Sequence, residues 1–379
     1  MVLRNELKPA RCRRYGFTGA LNVLSKKTEK VLLKGNEVMS EAAVQAGCRF
    51  FAGYPITPQN EVPEYMSRRM PEVGGVFVQA ESELAAINMI FGASATGTRC
   101  MTSSSSPGIS LKQEGISYIA GAELPCVIAN VQRGGPGLGN IRASQGDYYQ
   151  AVKGGGHGDY RVIVLAPSTL PELYELTQNA FDYADYYRIP VMMLSDGILG
   201  KMAEPVQLTP YKPILEIPEK DYILDGCKGR EPRVVKTLML GKADALAIHN
   251  IHLREKHEKI VSELQLAENY MTEDAEVLIA AYGMTARVAK GAINLAREKG
   301  LKVGLIRPVT LWPFPDEAMM AAAKNARKLL VVEMSNGQFI DDVKLAIRCS
   351  KPVEFLGVGG GWYPSVEGIL EKIEQIYKS

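Results

Sequence analysis

The chain has 379 residues, 46% of them apolar and 23% charged, with a formal net charge of +2. That length supports two domains with real cores. The near-neutral charge gives no strong field for nucleic acid or a membrane surface, and no apolar run approaches the ~18 residues that a membrane span needs.

Residues 1–30 carry eight Lys or Arg and two Glu, without a helical or strand period. A transit peptide, an early start codon or a disordered extension fits this composition, and the last is the expectation taken here. From residue 31 helix and strand signals alternate. Asn36 to Ala46 reads as a helix with Asn36 as N-cap and Gly47 past its end. Phe50 to Ala52 reads as a buried strand, followed by Gly53-Tyr54-Pro55-Ile56-Thr57-Pro58. Its two prolines fix φ, lack an N–H and hold their predecessors extended, which gives a stiff loop at a strand's carboxyl end. Ligands of open α/β sheets bind at such ends; an ordinary proline turn is the other reading. Strands at Val76–Val78 and Arg99–Thr102 flank an Ala-rich helix from Glu83 to Ala95. Next come a Ser103–Gly108 loop, a helix from about Ile109, and an apolar strand from Leu124 to Val131. Val162–Leu165 and Val191–Leu194 are further strands, with an amphipathic helix after Ser168 between them. Strands separated by helix-length segments predict a doubly wound parallel sheet with helices on both faces.

Five prolines between 205 and 232 interrupt this rhythm. The chain is therefore divided into an extension (1–30), a first α/β domain (31–235), a linker arm and polar helix (236–271) and a smaller α/β domain (272–379). Strands of the last are expected at Glu276–Ala281, Lys302–Ile306, Leu329–Glu333 and Val353–Leu356.

Several segments carry candidate chemistry. Arg133 opens Gly134-Gly135-Pro136-Gly137-Leu138-Gly139 directly after the most apolar strand. The glycines permit close backbone approach, and a fixed guanidinium suits a carboxylate; a flexible surface loop is equally compatible. Neither a dinucleotide fingerprint nor a P-loop is present. The serine loop precedes a helix, so its amides can face an anion, or it is a plain polar loop. Glu81 and Glu83 at a helix start complement its dipole, or one of them is a buried carboxyl that bonds a cofactor nitrogen. His157, among glycines, reads as structural, and His249, His252 and His257 as solvated. The six cysteines show no metal-cluster spacing, and their apolar surroundings suit a reducing cytoplasm.

Together, Gly53–Pro58, Glu83, the Ser-Pro-Gly loop, Asn130-Val131-Gln132-Arg133-Gly134-Gly135-Pro136 and Gly156-His157-Gly158-Asp159 resemble the alpha-type subunit of 2-oxoacid:ferredoxin oxidoreductases, over roughly residues 32–379. Arg307-Pro308-Val309-Thr310-Leu311-Trp312-Pro313-Phe314-Pro315 resembles the family's transketolase-C-terminal-like domain. The resemblance implies a pyrimidine-type thiamine-diphosphate domain and oxidative decarboxylation of a 2-oxoacid to acyl-CoA and CO2. Glu83, aligned through Gly92-Ala93, then matches the family's catalytic Glu on the pyrimidine N1′. Thr57 and Arg133 match substrate-binding positions, and Ile56, Ser105 and Pro107 are expected at the cofactor. No Gly-Asp-Gly diphosphate signature occurs. The resemblance therefore implies that a beta subunit supplies the diphosphate and Mg2+ site. It also implies gamma and delta ferredoxin-like partners that carry 4Fe-4S clusters, with ferredoxin and coenzyme A as reactants. Segments 58–66, 79–83 and 103–114 look most like the branched-chain (2-oxoisovalerate) type, with Ile56, Ile109 and Leu138 as expected pocket linings. A 2-oxoglutarate version and a noncatalytic assembly subunit are the alternatives.

Overall fold

A computed structural model describes residues 30–238 and 243–378. The extension expected at residues 1–30 lies outside the described residues except for Lys30. The first part runs β1 (Lys30–Lys34), α1 (Gly35–Gln45), β2 (Phe50–Gly53), α2 (Glu61–Glu72), β3 (Val76–Gln79), α3 (Glu83–Ala95), β4 (Cys100–Ser104) and α4 (Ser106–Gly121). It continues through β5 (Cys126–Gln132), α5 (Tyr148–Lys153), β6 (Ile163–Leu165), α6 (Leu170–Tyr187), β7 (Pro190–Asp196), α7 (Gly197–Lys201) and β8 (Ala203–Gln207). The second part comprises α8 (Ala245–Glu263), β9 (Ala267–Tyr270), β10 (Val277–Ala280), α9 (Gly283–Glu298), β11 (Val303–Pro308) and β12 (Thr310–Trp312). It ends with α10 (Asp316–Ala323), β13 (Lys328–Glu333), α11 (Phe339–Ala346), β14 (Val353–Gly357) and α12 (Val366–Lys378).

The larger sheet has the order β12-β6-β7-β5-β4-β2-β3. Strands β2 to β7 pair in parallel, and β12 closes the edge antiparallel to β6. Strands β5 and β7 are buried along their whole length, as near-continuous apolar runs between two helical layers must be. One face packs on Ile87, Ile90, Ile109 and Ile116; the other packs on Val38, Met39, Val62 and Met66. Strand order reverses at β2, with β3 on one side and β4 on the other, so the loops after β2 and β4 flank the crevice where open sheets bind ligands.

The smaller sheet, β14-β13-β10-β11-β9, is parallel except for β9, at the end of the expected linker. Its inner face contributes Leu278 and Ile306, and α11 contributes Phe339, to the same core as Ile87 and Ile109. β12, in the middle of the second part, belongs to the first sheet. Among the described residues no helix is long and apolar enough to cross a membrane.

Two boundaries differ from expectation. Helix α1 starts at Gly35, with the Glu37 carboxylate accepting from the Lys34 amide at 2.9 Å, so Asn36 is not the N-cap. Helix α4 starts at Ser106, not near Ile109, because Pro107 sits in the first turn where the missing N–H costs nothing.

Arg307 joins the two parts. It is 4% exposed and donates to Glu268 and to Glu172, each at 2.6 Å. Arg307→Met should lower unfolding stability by about 2 kcal/mol or more, because Glu172 loses its cation and Glu268 keeps only Lys290. A urea titration checks this, and an unchanged midpoint would show that the clamp is dispensable.

Candidate active site

The loop after β2 is held from beneath. The Asn36 side-chain amide donates to the Pro58 carbonyl at 2.9 Å and to Glu61 at 2.8 Å. Gln59 donates to the Tyr54 carbonyl, and Asn60 donates to the Thr57 hydroxyl, both at 3.3 Å. Ile56 and Thr57 are half-buried at the loop's tip. The expected stiffness therefore has a second source besides the prolines: buried amides that tie the loop to α1 and α2.

Arg133 leaves the end of β5 and is 7% exposed. Its guanidinium donates to the carbonyls of Thr57 at 3.0 Å and Leu138 at 2.9 Å, while its Nε is buried without a partner. Its amide donates to the Ser106 hydroxyl at 3.0 Å, and that hydroxyl donates to Asp147 at 2.6 Å. Asn130 also donates to Asp147, at 2.9 Å. Burial pushes the Asp147 carboxyl above its ordinary range, against these two bonds and the nearby Arg133 charge. The glycine loop closes on itself: Gly134 donates to Arg142 at 2.9 Å, and Asn140 donates to Gly134 at 2.8 Å. Gly139 is required there, with φ +63° and an added Cβ only 1.7 Å from the Gly134 carbonyl oxygen.

Glu83 is the first residue of α3, whose N-cap Ser82 accepts from Ala85 at 3.1 Å. Glu81 is exposed while Glu83 is buried, which separates the two acids. The Glu83 carboxylate lies beside Gly108: a Cβ there would stand 2.5 Å from Glu83 Oε1 and 2.1 Å from Ser104 Oγ. The hydroxyls of Ser104 and Ser105 are buried without partners. Pro107 is half-buried in the first turn of α4.

The structure thus brings Thr57 and Arg133 into contact and sets Glu83 against the serine loop, all at the carboxyl ends of neighbouring strands. Two expected pocket linings do not fit. Ile109 is fully buried in the core, where its helix packs on the sheet, and Leu138 points outward, 81% exposed, because its carbonyl is what faces Arg133. His157 is exposed, edge-on to Tyr118. Of the three histidines expected to be solvated, His252 is exposed, while His249 bonds the Gly121 carbonyl at 2.7 Å. His257 is half-buried near Trp312 and driven down to about 4, chiefly by burial. Among the described residues no group of His, Cys, Asp and Glu is able to hold a metal ion. Asp196 caps α7 through the Ile198 and Leu199 amides at 2.8 and 3.1 Å, and burial raises its carboxyl to about 6.

Sequence reasoning missed Lys112. Its side chain is fully buried in α4, bonded to the Thr102 hydroxyl at 3.0 Å and the Glu83 carbonyl at 3.4 Å. Its spacing held a signal: three residues after Ile109 and four before Ile116, it lies on the helix's core face.

The family model described as pyruvate flavodoxin/ferredoxin oxidoreductase, thiamine diphosphate-binding, matches residues 41–272. The chain belongs to this family. The model for pyruvate:ferredoxin oxidoreductase core domain II matches residues 275–369. A ketoisovalerate oxidoreductase subunit VorB from Methanothermobacter marburgensis is 48% identical over 345 residues, covering 91% of this chain and 97% of its own. A 2-oxoglutarate synthase subunit KorA from Methanothermobacter thermautotrophicus is 38% identical, covering 91% and 98%. The structure of a 2-oxoglutarate:ferredoxin oxidoreductase from Magnetococcus marinus, with 2-oxoglutarate, coenzyme A and succinyl-CoA bound, superposes with a TM-score of 0.81 at 27% identity. It covers 92% of this chain, which spans 65% of that one. A split-gene transketolase shares the fold, with a TM-score of 0.57 at 12% identity. The family resemblance read from the motifs is borne out, and the higher identity falls on the ketoisovalerate relative.

The residues present fit thiamine diphosphate on structural grounds: the buried Glu83 carboxylate and the orphaned Ser104 hydroxyl meet where a Gly108 Cβ would stand, and the Ser105 hydroxyl and Arg133 Nε are likewise buried without partners. Gly108→Ala should displace the Glu83 carboxylate and cost about 10²-fold in turnover of the assembled enzyme, with the fold retained. Steady-state kinetics and circular dichroism check this; full activity would free the Gly108 site from any role in positioning.

Proposed function

We propose that this chain is a subunit of a thiamine-diphosphate-dependent 2-oxoacid:ferredoxin oxidoreductase acting on the branched substrate 2-oxoisovalerate. The reaction yields acyl-CoA and CO2 and reduces ferredoxin. One observation carries the reading. A buried guanidinium spends two donors on backbone carbonyls, keeps a buried Nε unpaired and lies against the Thr57 loop. Such a cation gains most from a carboxylate ligand. The 48% identity to a ketoisovalerate subunit supports the branched substrate over 2-oxoglutarate.

Thiamine diphosphate, when bound, supplies the electron sink that lets CO2 leave a 2-oxoacid. In this reading Glu83 holds the cofactor's pyrimidine N1′, and its burial excludes water from that bond. Ile56, Ser105 and Pro107 line the same pocket. Arg133 and the Thr57 hydroxyl take the substrate carboxylate and orient the ketone, with Asn60 fixing the hydroxyl. A beta subunit supplies the diphosphate and Mg2+ contacts, and gamma and delta subunits carry the 4Fe-4S clusters that pass electrons to ferredoxin. The complex works in the cytoplasm, which suits the buried free thiols of Cys48, Cys100 and Cys126.

Glu83→Gln should abolish decarboxylation in the assembled complex; near-normal turnover would remove Glu83 from the catalytic role. Arg133→Ala should raise KM for the 2-oxoacid by about 10–100-fold, the loss of a charged hydrogen bond, and leave thiamine diphosphate affinity unchanged. Kinetics and calorimetry separate the two effects, and an unchanged KM would take Arg133 out of the carboxylate site.

A further inference from the structure

We propose that Lys112 is a positioning residue for Glu83: sealed between α3, α4 and β4, its amine fastens the backbone from which the Glu83 carboxylate departs. The inference rests on the reading of Glu83 as the cofactor's partner. Packing alone gives no reason for a lysine here. The side chain is fully buried, it shares its helix face with the buried Ile109 and Ile116, and an apolar side chain of similar length would avoid the desolvation cost. The amine has three donors and two partners, both neutral: Thr102 Oγ1 at 3.0 Å and the Glu83 carbonyl at 3.4 Å. It therefore fastens the first turn of α3, from which the Glu83 side chain departs.

Glu83 is also the charged group whose field acts on Lys112. The other titratable groups around the pair are neutral or engaged. Cys100 on β4 and Cys126 on β5 are thiols that burial pushes up. Asp147, at the start of α5, is taken by Ser106 and Asn130. Tyr160 donates to Gln113 at 3.2 Å, and Glu81 is exposed. Burial pushes the Lys112 amine down to about 7, and the Glu83 charge opposes that. Between about pH 7 and its unfolded value the folded protein binds fewer protons at this amine than the unfolded chain, so this group adds stability as pH rises through that window.

The test is Lys112→Met in the assembled complex, read by thiamine diphosphate affinity in calorimetry and by the split between KM and kcat. Cofactor affinity should fall about tenfold, the loss of one charged hydrogen bond, with KM for the 2-oxoacid unchanged and Tm equal or higher. Lys112→Gln, which keeps a donor, should restore most of the affinity. Wild-type cofactor affinity in a folded Lys112→Met complex overturns the proposal, as does an equal loss in Lys112→Gln. A loss confined to Lys112→Met, together with a Glu83→Gln enzyme that still turns over, would leave the positioning standing and refute the cofactor role of Glu83.

Discussion

The site is organised by the way Arg133 is held. Its amide is fixed by Ser106, its guanidinium by the carbonyls of Thr57 and Leu138, and its Nε by nothing. One residue therefore ties together the serine loop after β4, the proline loop after β2 and the glycine loop after β5. Carbonyl dipoles orient a guanidinium but do not neutralise it. The nearby Asp147 lies behind it, bonded to Ser106 and Asn130, and burial works against its ionisation. In the proposed function, a substrate carboxylate satisfies this charge without moving the protein. That is electrostatic preorganisation: the cost of placing the cation falls on folding and not on binding.

The second part of the chain stiffens this arrangement. The stretch that carries Asp147 is bonded to it at several points. Gln145 receives the Met334 amide at 2.9 Å and donates to the Tyr282 carbonyl at 3.0 Å. Tyr148 donates to Asp342 at 2.7 Å. Asn140, in the glycine loop, donates to Gly360 at 2.8 Å. With β12 completing the first sheet and a hydrophobic core shared by both sheets, the smaller unit acts as a buttress for the loops that carry Arg133 and Asp147.

Much of this was legible from local signals. The helix Glu83–Ala95 and the proline-bracketed loop depend on capping, alanine content and fixed φ, which act within a few residues. What was not legible depends on partners far along the chain. Asn36 looks like an N-cap because caps and tertiary braces use the same side chains; only the approach of Pro58 and Glu61 decides between them. Leu138 looks like a pocket lining, but the loop offers its carbonyl instead. The strand Thr310–Trp312 gives no clear signal, because three residues gain their pairing from β6, some 145 positions earlier. Lys112 was hidden by the habit of reading lysine as solvated, although its helical spacing placed it on the core face.

The most direct test of the account is a crystal structure of the assembled complex with 2-oxoisovalerate bound. The account predicts the substrate carboxylate within about 3 Å of the Arg133 guanidinium and the Thr57 hydroxyl, with Ile56 against the branched side chain. A substrate carboxylate seated elsewhere, with Arg133 still engaged only by its two carbonyls, would contradict it.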